Sequence, residues 1–194
     1  IMDKNILIYN YDYSILGLTL EGEFFISSIL VFQTYIKSKS KRDFLLQYEK
    51  TAPYSLSQIK LLIKKYATII YWDGDLKRFR MENKKWALRK SLIERNGFMH
   101  LIVPPWLFNI MNIFKLNFTQ LYIMALVLSY FYDKKKFNWA NETIARKLDM
   151  VSGYSITKNI NKLQNLGLIE IIRTNRTNIL NVTDKFLFYE NKSN

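Results

Sequence analysis

The side chains best suited to chemistry in this chain lie between Ser152 and Asn165. Tyr154, Ser155, Thr157, Lys158, Asn161, Lys162 and Asn165 recur at positions that one helix would turn outward, and Ser152 stands where that helix would begin. Neither Asp nor Glu occurs from Met150 to Ile169. A surface of hydroxyls, amides and ammonium groups without carboxylates can hydrogen-bond base edges and neutralise phosphates. Arg173, Asn175 and Arg176 follow at the tip of an expected hairpin, where they suit phosphate or minor-groove contact. A second cationic concentration lies upstream. Lys60 and Lys64, with Gln58 and Lys65, face outward on another expected helix. Lys77, Arg78, Arg80, Lys84, Lys85, Arg89, Lys90 and Arg95 then meet only Glu82 and Glu94, so residues 77–95 carry +6. Each phosphate such a stripe neutralises adds roughly 0.9 to the salt slope of duplex binding. Trp72, Phe79 and Trp86 interleave with it. Stacking on bases is one reading of them, and packing within the domain is the expectation.

Other chemistries find no residues. The chain lacks Cys, which excludes disulfides, thiolate zinc sites and thiol catalysis. His100 is the single His, so no paired-His metal site can form. Glu21 and Glu23 are two apart on an expected helix and do not face each other. Asp73 and Asp75 flank Gly74 and read as turn chemistry. No glycine loop of the P-loop kind precedes a Lys-Ser or Lys-Thr pair. The expectation is a protein that is not an enzyme, with no cofactor and no metal.

These residues need elements to position them, and the composition allows for them. The 194 residues fit one large domain or two small ones, 49% of them are hydrophobic, and the net charge is +13. The longest apolar stretch, Leu121 to Tyr132, is too short for a membrane span and reads as a buried helix. The net charge puts an anionic partner first, nucleic acid or an acidic membrane face. Of these nucleic acid, without a membrane, becomes the expectation, and the cytoplasm the expected location.

The chain repeats itself at about half its length. Leu18-Thr19-Leu20, followed by Phe24, Phe25, Ile26, Ile29 and Leu30, returns 98 residues on. There it becomes Leu116-Asn117-Phe118, with Tyr122, Ile123, Met124, Val127 and Leu128. Ile59, Ile63 and Tyr66 return 97 residues on as Ile156, Ile160 and Leu163. Thr19 and Asn117 are capping types, and the i, i+4, i+7 spacing is one helix face.

The expected elements of the first half are helices at 20–37, 43–50, about 55–66 and 83–95, with strands at 68–71 and 77–81. Asp73-Gly74-Asp75 reads as the hairpin turn, with Gly74 supplying positive φ. In the second half helices are expected at 117–132, 142–148 and from Ser152 or Ser155 to Leu166-Gly167. Strands follow at 168–173 and 179–183. Pro104-Pro105 marks a linker.

The segment Trp139-Ala-Asn-Glu-Thr-Ile-Ala-Arg-Lys-Leu148, then Ser152 to Leu163, then Leu166-Gly-Leu-Ile169 resembles the winged helix-turn-helix domains of plasmid and phage replication initiators and bacterial regulators. Ile144-Ala145, Leu148, Ser152, Ile156, Ile160, Leu163 and Gly167-Leu168-Ile169 occupy the family's pattern positions. The turn Asp149-Met150-Val151 is one residue longer than the pattern. The first half lacks the Leu-Ala and Gly-Leu-Ile elements.

The resulting expectation is a mainly α fold with small β-hairpins (α+β), built as two tandem winged-helix domains. A degenerate one spans 2–97, a linker 98–112, and the clearer one 113–194. The resemblance implies double-stranded DNA binding and DNA replication initiation at repeats of a plasmid or phage origin. A transcription regulator of a mobile element is an alternative. An interaction protein that inhibits a host nucleic-acid enzyme is another, kept open by the apolar run Pro104-Pro105-Trp106-Leu107-Phe108. A replication or host protein and a homodimer also stay open as partners.

Overall fold

A computed structural model of the chain describes residues 6–9, 18–96, 100–104, 106–147, 153–173 and 178–191. The fold is mainly helical with small two-stranded antiparallel sheets. It divides into two compact units, Ile1–Pro105 and Trp106–Asn194.

Unit 1 begins with β1 (Ile6–Tyr9) and α1 (Leu20–Phe32). The Thr19 hydroxyl accepts the Gly22 N–H at 3.2 Å and starts α1 one residue after the β-region cap. The helix is buried almost all round, through Phe24, Phe25, Ile26, Ile29 and Phe32. It stops at Phe32, short of the expected residue 37. There the Thr34 hydroxyl donates to the Val31 carbonyl at 2.7 Å and competes with the helical ladder.

Ser40 caps α2 (Lys41–Glu49), and a Ser55–Gln58 capping box opens α3 (Leu56–Lys65). An aromatic cluster joins these helices to a hairpin of β2 (Ile70–Asp73) and β3 (Arg78–Met81), with Trp72 opposite Phe79. Phe44 lies 5.7 Å from Phe32 and 5.3 Å from Phe79, ring centre to ring centre. Both geometries are edge-to-face, the favoured one for buried rings.

The hairpin turn differs from expectation. It spans residues 74–77, and Lys77, not Gly74, takes the left-handed conformation with φ 48°. The Asp73 carboxylate decides this by accepting the Leu76 N–H at 2.9 Å, which draws the loop over four residues. Then follow α4 (Asn83–Asn96) and β4 (His100–Val103). β4 pairs antiparallel with β1, Ile6 opposite Val103 and Tyr9 opposite His100. The stretch 98–112, read from sequence as a linker, therefore holds a strand. It also holds most of the next helix, because its apolar residues have a sheet partner and a core to join.

Unit 2 opens with that helix, α5 (Trp106–Phe114). An Asn117–Gln120 capping box starts α6 (Phe118–Tyr132), buried continuously from Gln120 to Leu128. α7 (Asn141–Lys147) and α8 (Gly153–Asn165) follow. Gly167 at φ 70° ends α8, with the Leu168 N–H returning to the Leu163 carbonyl. β5 (Ile169–Arg173) and β6 (Asn178–Val182) form a hairpin, Arg173 opposite Asn178. α9 (Asp184–Asn191) closes the unit, its buried Phe186 edge-on to Trp106 at 5.3 Å. The order helix, helix, helix, hairpin, helix thus occurs in both units, as α1–α4 and as α6–α9. Among the described residues no helix is long and apolar enough to cross a membrane.

Candidate nucleic-acid interface

In α8 the apolar stripe of Ile156, Ile160 and Leu163 is buried. The helical period then turns Tyr154, Lys158, Asn161, Lys162 and Asn165 outward, and all five are exposed, Tyr154 by 80%. Lys162 also reaches the Lys115 carbonyl just beyond α5, at 3.4 Å.

Two residues expected on this surface sit otherwise. Thr157 is half-buried, and its hydroxyl accepts from the Asn141 amide at 2.7 Å while donating to the Gly153 carbonyl at 3.0 Å. It ties α7 to α8 instead of facing a ligand. Ser155 is half-buried, and its carbonyl accepts the Asn159 amide at 2.8 Å.

Asn159 was not expected in the core. Its side-chain oxygen accepts from Gln120 at 2.9 Å and from Asn117 at 3.4 Å, so the α6 capping box and α8 share one polar network. A buried amide needs such partners, because an unpaired one costs about 1–3 kcal/mol.

The start of α8 is tight. A Cβ placed on Gly153 would stand 3.1 Å from the Glu142 backbone nitrogen and 2.7 Å from its carboxylate oxygen. Glycine lets α7 and α8 approach, and the Glu142 carboxylate lies beside the positive end of the α8 dipole. The α8 surface is thus acid-free along the chain but, among the described residues, has the Glu142 carboxylate beside its start. Glu170 on β5 is a second exposed acid nearby in sequence, and it accepts from Asn181 at 3.2 Å. Arg173 is exposed at the end of β5. Ser152, Asn175 and Arg176 lie outside the described residues, as do Leu148 and the turn Asp149-Met150-Val151.

In unit 1, Lys60 and Lys64 are exposed on α3, and Lys77, Arg78 and Lys84 are exposed on the hairpin and α4. Arg80 is half-buried and pairs with Asp73 at 3.4 Å. The Leu76 N–H and then Arg80 hold the Asp73 carboxyl below the usual carboxylate range. Lys85 is half-buried, and its N–H donates to the Glu82 carboxylate at 3.1 Å, capping α4. The Lys84 and Lys85 amides hold Glu82 below its ordinary value.

The fold adds cations that spacing did not single out. Lys41 and Arg42 from α2 share a groove of about 670 Å³ with Lys60 from α3. Of the interleaved aromatics, Phe79 is buried and Trp72 packs against it at 5.2 Å, while Trp86 remains half exposed.

The run Trp106-Leu107-Phe108 is buried in unit 2, as is Pro104 in unit 1. It offers no exposed apolar anchor of the kind an inhibitory interaction protein would use. No family model, curated protein or solved structure matches the chain.

Proposed function

We propose that this chain is a non-enzymatic double-stranded DNA-binding protein built from tandem winged helices. In this reading α7 and α8 are the helix-turn-helix and the β5–β6 hairpin is the wing. α8 lies in the major groove, where Lys158, Asn161, Lys162 and Tyr154 meet phosphates and base edges. Unit 1 adds a second footprint through Lys60, Lys64, Lys77, Arg78 and Lys84. A replication initiator of a plasmid or phage, gripping repeats at an origin, is the role that two such modules in one chain suit best.

One observation carries this reading: α8 buries Ile156, Ile160 and Leu163 and leaves a polar, cationic side exposed. Among the described residues, the reach of Lys162 to the Lys115 carbonyl is the one hydrogen bond that this side makes within the unit. A polyanion suits that side, since each released counterion favours binding.

Titration of labelled duplex at several salt concentrations tests it. Lys158→Ala with Lys162→Ala should weaken binding and lower the salt slope by roughly 0.9 for each phosphate that is no longer neutralised. Wild-type affinity and slope in the double variant would remove α8 as the reader. Selection of bound fragments from random duplex then separates an initiator from a regulator, by whether the recovered repeats map to an origin or a promoter.

A further inference from the structure

Unit 1 holds a pocket of about 490 Å³ between the C-terminal end of α1, β3 and the start of α4. Gln33 builds one wall. Its amide donates to the Phe79 carbonyl at 2.9 Å and its oxygen accepts the Phe79 N–H at 2.8 Å. The side chain thereby pairs with β3 like a neighbouring strand and fixes α1 to it. Buried Val31, Phe79 and Met81 contribute apolar lining.

Two aromatic side chains also line the pocket, Tyr35 and Trp86, exposed by 50% and 51%. Arg78 and Arg80, two apart on β3, are lining residues too and bring two cationic side chains to it. Asp73 compensates part of the Arg80 charge at 3.4 Å, whereas Arg78 is exposed. Among the described residues that line the pocket, none is acidic.

The volume is that of a small-ligand site. Half-exposed rings beside guanidiniums suit a flat group that carries negative charge. A nucleobase with its phosphate has both properties. Every base has a π-face for Trp and Tyr, and Arg can stack or pair with phosphate. A duplex keeps its bases stacked inside, so an unpaired strand must supply this one.

We propose that the pocket binds one unstacked base of a single-stranded nucleic acid, with the ring against Trp86 and Tyr35 and the phosphate on Arg78 and Arg80. This site shares only Arg78 with the duplex footprint of unit 1, is separate from α8 and does not rest on α8 being the duplex reader.

The test uses the full chain and a short fluorescein-labelled oligothymidylate, followed by anisotropy, with labelled duplex as the second probe. Trp86→Ala should weaken oligothymidylate binding about tenfold, and Trp86→Tyr should restore most of it, because stacking needs a ring. Arg78→Ala should weaken binding and lower its salt slope. Duplex affinity of Trp86→Ala should stay within about twofold of wild type, since a duplex offers no unstacked base to the pocket. Both side chains are exposed or half exposed, so circular dichroism should show an intact fold. Should Trp86→Ala not fold, Arg78→Ala and Trp86→Tyr carry the test.

Failure of the wild type to bind oligothymidylate overturns the proposal. So does unchanged affinity in the Trp86→Ala and Arg78→Ala variants. Competition by thymidine monophosphate as effective as that by the oligomer would also overturn it, by assigning the pocket to a free nucleotide. Lys158→Ala with Lys162→Ala removes only charge at α8 and should weaken oligothymidylate binding much less than Trp86→Ala does, which keeps failure here distinct from failure of α8.

Discussion

In unit 1 the first turn of α1 meets the end of α3 through Gly22 and Tyr66; in unit 2 the first turn of α6 meets α8 through Gln120 and Asn159. With the spacing of 98 that relates the two first helices, Gly22 falls where Gln120 stands. With the spacing of 97 that relates α3 and α8, buried Leu62 falls where buried Asn159 stands. One joint is closed by size and the other by hydrogen bonding. In unit 1 a Cβ on Gly22 would overlap the Tyr66 hydroxyl, so the missing side chain makes room for a ring. In unit 2 the long Gln120 side chain fills the space and must be matched by a polar partner. The same order of elements therefore tolerates opposite packing chemistry, provided each joint is complementary within itself.

Mixing the two solutions should break the joints, the steric one most. Gly22→Ala gains about 1 kcal/mol of helix propensity. It should nonetheless destabilise unit 1 by about 3 kcal/mol net, because a buried ring must shift. The Tyr66→Leu background, which borrows the side chain of Leu163, should recover most of that loss. Chemical denaturation of the four chains measures the coupling, and an equal loss in both backgrounds would show that the ring is not the obstacle.

Asn159→Ala should cost about 2 kcal/mol, because Gln120 and Asn117 lose a buried acceptor. Asn159→Leu, which copies Leu62, should refill the volume but leave the Gln120 amide unsatisfied. It should therefore recover only part of the loss. Full stability in Asn159→Leu would mean that volume alone holds this joint and would erase the contrast.

The joints also show what sequence can disclose. The buried stripe of α8 was legible because Ile156, Ile160 and Leu163 repeat with the helical period. Asn159 lies on the same side but is a polar residue, and its burial depends on Gln120, 39 positions away. Thr157 read as outward because nothing in its spacing reveals Asn141. Lys41 and Arg42 joined the cationic surface only once α2 lay against α3. β4 and α5 were missed because Pro104-Pro105 reads as a break, while the partner of β4 is almost a hundred residues upstream. Helices with strong periodicity and caps are local facts. Long-range pairing, buried polar networks and shared charge are not. The hairpin turn falls between the two: its place was visible, but the Asp73 carboxylate redistributed its conformation.

The mildest contrast lies at the helix that closes each unit. The Glu82 carboxylate accepts the Lys85 N–H at the start of α4, and the Thr183 hydroxyl accepts the Phe186 N–H at the start of α9. Both caps satisfy a donor three residues into the chain that follows, but only one of them titrates. Glu82 has its folded-state pKa lowered, first by the Lys84 and Lys85 amides. Its contribution is therefore complete above the ordinary glutamate pKa of about 4.3 and fades as pH falls through the lowered value. Acid should loosen the first turn of α4 more than that of α9, where the cap itself is a hydroxyl and the Asp184 carboxylate adds only its interaction with the helix dipole. Amide protection factors at neutral pH and near pH 3 measure both turns in one sample, since the unfolded-state pKa of about 4.3 lies between them. Glu82→Thr, which copies the α9 cap, should make the α4 turn insensitive to acid at little cost to its neutral-pH protection. Equal loss of protection at both turns in the wild type would place the acid sensitivity elsewhere than in this cap.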